Sequence, residues 1–155
     1  MYFDKLYICM VDLNFKLFVE SAYNGDLQKT LDKIPASHRS LIKGFKFDYT
    51  SKNTLNGDRK HIGFVHKKKI TVAAPWNYSR EFTTLHEIAH VVWEKKMTDE
   101  LKKEWSELVK ATKKKPKDGI EELFCMSYAQ YYAKNKMQKF DIPSWQDFIS
   151  EKVPS

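Results

Sequence analysis

The chain is short of the residues that several function classes require. Its two cysteines, Cys9 and Cys125, are too few for a disulfide framework and show no paired metal-binding spacing, so both are expected to be ordinary buried thiols. Only Arg39, Arg59 and Arg80 among its 27 basic residues are arginines, although the formal net charge is +7. Base readout favours the arginine fork, and a lysine surplus more often forms a solvated surface, so nucleic acid is not an expected partner. No apolar run approaches the length that spans a membrane. The apolar start "MYFDKLYICMVDLNF" is interrupted by Asp4 and Asp12, with no small-residue cleavage site behind it. A cytoplasmic protein with no membrane partner is expected, or a secreted one if the chain is a mature or trimmed form. Repeats and low-complexity linkers are also lacking, so residues 1–155, 42% hydrophobic, are expected to form one domain that acts as a monomer.

What is present divides into a sheet-forming half and a helical half. "KLYICMV" and "FKLFVESAY" pair as strands, or the second opens a helix. "DLQKTLDKI" spaces Leu27, Leu31 and Ile34 as a helix that Pro35 stops or kinks. Phe45, Phe47 and Tyr49 alternate with polar residues as in a half-buried strand, and "HIGFVHKKKITVAAP" reads as two strands joined near Lys67 to Lys69. Helices are then predicted over 80–96, over "DELKKEWSELVKAT" with Thr98 or Asp99 as cap, over "IEELFCMSYAQYYAKN", and over "PSWQDFISEKV". The fold class is α+β, with a small, mainly antiparallel sheet followed by helices. The lysine run in "KATKKKPKDG" reads as a solvated loop, and Tyr128, Tyr131 and Tyr132 as core. Trp76 and Tyr78 are placed for packing or for a pocket wall.

The chemistry lies in "FTTLHEIAHVVWE", residues 82–94. On a helix, His86 and His90 fall on one face about 6 Å apart along the axis, so both imidazoles can converge on one ion, and nitrogen donors at tetrahedral angles suit Zn²⁺. Glu87 projects about 100° around the helix from His86, beside the metal and not on it. From there it can act as general base toward water and pass the proton to a leaving amine. Phe82, Leu85, Ala89 and Val92 supply the apolar stripe that such a helix needs.

A catalytic zinc needs a third protein ligand. No histidine follows His90, which excludes sites completed by a later histidine and leaves a downstream carboxylate. Glu122 shares its helix face with Cys125, Ala129 and Ala133, small residues that permit close approach to the motif helix. Glu121 shares its face with Phe124, Tyr128 and Tyr132. Glu122 is therefore the expected ligand and Glu121 the alternate, or a solvated acid at a helix N-terminus.

With these residues the chain resembles the gluzincin type of zinc metallopeptidase. The stretch from about Leu27 through Lys134, with "KIP", "ITVAA" and "LFCMSYAQYY", is similar to the catalytic domain shared by anthrax lethal factor and the Pro-Pro endopeptidases. The resemblance implies a zincin-like fold with the motif on the first helix after the sheet, and zinc on His86, His90 and Glu122. It also implies Glu87 as catalytic base, a protein or peptide substrate, and "ITVAA" as the strand that pairs with it. The chain departs from that pattern at Met126, where the family carries an acid, and at Lys115, where it carries a tyrosine. "REFTTLHEIAH" is similar as well to the ImmA/IrrE-type intracellular proteases, with the same zinc residues. The competing expectation is a non-catalytic interaction or nucleic-acid-binding protein in which zinc only staples helices.

Overall fold

The computed structural model describes residues 26–49, 63–72, 79–112, 119–133 and 141–155. The expectations for the N-terminal strands, Cys9, Trp76, Tyr78, Lys115 and the lysine run at 113–118 lie outside these residues. A helix at 26–31, α1, leads to Pro35, whose fixed φ and missing N–H start a second short helix, α2 (Ala36–Leu41), where the sequence pattern offered no helix. Three strands follow, β1 (Lys46–Tyr49), β2 (Gly63–His66) and β3 (Lys69–Val72), then α3 (Arg80–Lys96), α4 (Asp99–Ala111), α5 (Ile120–Tyr132) and α6 (Pro143–Glu151).

The α+β class is as read, but the sheet is mixed and not mainly antiparallel. Its order is β1-β3-β2, with β3 antiparallel to β2 and parallel to β1. The hairpin turns through Lys67 and Lys68, both at positive φ (44° and 61°), as a two-residue loop between right-twisted strands requires. The physical reason for the order lies in β3. Ile70 and Val72 are fully buried, whereas β1 and β2 are half-exposed, so the most apolar strand takes the centre and the chain returns β1 to it from the far side.

α3 is buried nearly all round, with Phe82 through Val92 buried apart from the half-buried His90. Ser79 starts it, accepting from the Phe82 amide at 3.0 Å. Inside, the buried Thr83 and Thr84 hydroxyls donate to the Ser79 and Arg80 carbonyls, which removes the cost of unpaired polar atoms. α5 is the principal helical partner of α3. Cys125, Ala129 and Ala133, the small residues that share a face with Glu122, are all buried. α4 and α6 close the other side of α5 around Trp105, whose ring lies 5.2 to 5.8 Å from Phe124, Trp145 and Phe148. Thr98 caps α4, accepting from the Leu101 amide at 3.3 Å.

α2 contributes one fully buried histidine. His38 Nε2 donates to the Pro154 carbonyl at 2.9 Å, which can only accept, so Nδ1 of the neutral ring accepts from the Tyr128 hydroxyl at 2.8 Å. Burial holds its proton affinity below the ordinary value, the Pro154 bond opposes this, and the Lys96 charge lowers it further. Tyr128 is thus core, as its spacing suggests, with its hydroxyl paired; Tyr131 is exposed and Tyr132 half-buried. Among the described residues no helix is long and apolar enough to cross a membrane.

Candidate metal centre

α3 and α5 cross so that the middle of one meets the first turn of the other. His86 and His90, one helical turn apart, bring their ring centroids to 5.0 Å with the planes nearly perpendicular. α5 begins after Gly119 without a side-chain cap, and its first turn presents Glu121 and Glu122. Carboxylates are favoured there by the unpaired amides and the positive end of the helix dipole.

The two glutamates divide the histidines between them. Glu122 faces both rings, with Oε2 3.2 Å from His86 Nε2 and Oε1 3.4 Å from His90 Nε2. The ligand atoms of His86, His90 and Glu122 all lie within 4.8 Å of one another, an arrangement that can hold a metal ion. The donor set fits that role. Two imidazole nitrogens and one carboxylate oxygen converge on one point, and Glu122 remains half-exposed, leaving a side of the group open to solvent. Glu122 is held below the ordinary carboxylate range, chiefly by its hydrogen bond from His86, with burial working against this.

Glu121 has a part that its sequence position did not reveal. Its Oε1 lies 2.8 Å from His90 Nδ1, the nitrogen facing away from Glu122. That bond fixes the ring's orientation and assigns the proton to Nδ1, which leaves Nε2 as the basic donor. Glu121 is therefore neither the metal-facing carboxylate nor a merely solvated acid. Consecutive residues in a helix diverge by about 100°, so one glutamate meets the inner nitrogens and the other reaches round to the outer one. His86 has no such support: its Nδ1 is buried without a hydrogen-bond partner among the described residues. Met126, where the resemblance expects an acid, packs half-buried against the core.

Glu87 is only 5% exposed, and burial pushes its carboxyl up, partly offset by His86 and His90. Room for this side chain comes from Gly63 at the start of β2, where a Cβ would overlap the Glu87 carboxylate. Nothing in the sequence marked Gly63, because its requirement arises from a helix far along the chain. The sheet order also bears on the strand expected to pair with a substrate. "ITVAA" begins in β3, which is paired on both sides over Lys69–Val72, so its backbone has no free edge there. Among the described residues β2, beside Glu87, is the sheet edge next to the site. His66 is exposed at its end and takes no part in the metal group. Cys125 sits one turn beyond Glu122, fully buried, its thiol pushed up by burial and by the nearby carboxylates, which suits a packing role as expected.

Comparisons with protein-family models, with curated proteins and with solved structures gave no match to this chain.

Proposed function

We propose that this protein is a zinc-dependent endopeptidase of the zincin type, in which His86, His90 and Glu122 hold the metal and Glu87 is the general base. The observation that carries this reading is the convergence of both Nε2 atoms on the Glu122 carboxylate, with a buried acid directly beside them on the same helix. A buried carboxylate is costly to a fold, and a glycine in the facing strand makes the space for it, which supports a functional role for Glu87.

Bound zinc would supply Lewis-acid polarisation of the scissile carbonyl and acidify the attacking water. The protein's own residues do the rest. Glu87 takes the water's proton on its carboxylate and returns it to the amide nitrogen as the C–N bond breaks; its raised proton affinity suits a group that must hold a proton between the two transfers. Glu121 keeps the His90 ring in place through Nδ1. An extended substrate lies along β2, an outer strand of the sheet among the described residues, which starts against Glu87.

Digestion of a broad peptide library by the zinc-loaded protein, with Glu87→Gln alongside, tests the reading. The variant is expected to keep its zinc and fold while turnover falls by at least about a hundredfold. Equal cleavage patterns and rates for the two proteins, or no cleavage by either, would leave zinc as a staple between α3 and α5.

A further inference from the structure

We infer that the exposed lysine cluster at the end of β2 selects substrates carrying an acidic side chain a few residues from the scissile bond. The inference rests on the peptidase reading above, which puts the substrate backbone on β2. β2 starts at Gly63, against Glu87, and ends at His66, so a peptide paired with it runs from the catalytic carboxylate toward the hairpin. The hairpin is basic. Lys67 and Lys68 form its tip and Lys69 opens β3. All three side chains are exposed. The one acid paired into this cluster among the described residues is Asp48, on Lys69 at 2.7 Å, so positive charge is left over. The turn itself is not built for its own comfort. Two consecutive residues at positive φ favour Asn-Gly, and here both positions carry long cationic side chains. A strand rises about 3.3 Å per residue, so the cluster stands about 13 Å, or roughly four residues, from the point opposite Gly63. A glutamate or aspartate at that distance along the substrate meets the lysines, while the scissile bond stays at Glu87.

The test scans an acidic residue along both sides of the cleaved bond in a peptide library, with wild type, K67E/K68E and K67N/K68G, and K103E on α4 as a remote control. K67N/K68G places the residues that the turn favours, so it removes charge without endangering the hairpin. Wild type is expected to prefer an acid three to five residues to one side by about 3- to 10-fold, less at high salt. K67N/K68G should lose the preference, K67E/K68E should turn it toward basic residues, and K103E should keep it. Glu87-dependent cleavage with no acidic preference, or a preference that both hairpin variants retain, overturns the inference and leaves the peptidase reading standing. Absence of any Glu87-dependent cleavage removes both. Salt-sensitive binding of a DNA duplex that K67E/K68E abolishes, with cleavage indifferent to acids, overturns it in favour of phosphate contact.

Discussion

Helix α5 holds histidines of two kinds, one pair at its first turn and a single ring two turns on. His38 is fully buried, and both of its nitrogens are spent on neutral protein partners. His86 and His90 turn their Nε2 atoms toward one shared, half-exposed carboxylate. The first arrangement already occupies both ring nitrogens and disfavours the charged ring by burial; the second gathers negative charge and imidazole nitrogen at a point that solvent can reach. Burial alone does not distinguish them, since His86 is only 8% exposed. What distinguishes them is the partner of the inner nitrogen: neutral groups for His38, and for His86 and His90 a carboxylate that the two rings share.

The sharpest way to break this comparison is to remove each histidine in turn and measure zinc by elemental analysis. His86→Ala and His90→Ala should each lose the metal, because two remaining protein ligands hold zinc too weakly, and His38→Gln should keep about one equivalent. Loss of zinc from His38→Gln with the fold intact would erase the distinction. The next largest effect separates the two glutamates. Glu122→Ala should release zinc, whereas Glu121→Gln, which keeps the side chain's shape but weakens its hold on His90 Nδ1, should lower zinc affinity by about 10- to 100-fold in a chelator competition. If Glu121→Gln released zinc and Glu122→Ala retained it, the assignment of inner and outer carboxylates would be reversed.

Smaller changes belong to the structural histidine. Tyr128→Phe leaves His38 Nδ1 buried without its donor and should cost about 1 to 3 kcal/mol in urea unfolding, with zinc content unchanged. The smallest expected effect is in pH dependence. The folded state holds His38 below its ordinary value of 6.5, so the unfolded chain takes up the proton first as pH falls. Its stabilising contribution is therefore complete above that value and declines below it. Wild type should lose more stability between about pH 7.5 and about pH 5 than His38→Gln does; equal losses would show that His38 does not carry the slope.

Much of this was legible beforehand because it depends on local spacing. The limits of α3, the Thr98 cap, the burial of Cys125, Ala129 and Ala133, and the pairing of Glu122 with both histidines follow from residues three or four apart on a helix. What escaped depends on contacts between distant segments. The central place of β3 is decided by a pairing with β1 across an intervening strand, and no alternation within "ITVAA" reports it. Glu121 and Glu122 look alike in a first turn until α3 is laid across them. "SHRSLIKG" has too few apolar residues to mark a helix, and α2 forms there because Pro35 starts it and His38 finds Tyr128, 90 residues away.

Gly63 bears on how any relative of this chain should be judged. A search for the motif would pass every sequence in which His86, Glu87 and His90 are intact, yet one methyl group on β2 would collide with the carboxylate that those letters promise. Such a sequence would have to shift the strand or swing the acid away, and on the proposed peptidase reading it would keep the metal-binding residues while losing the general base. Position 63 thus works as a silent fourth letter of the motif, readable only where the strand and the helix are seen together.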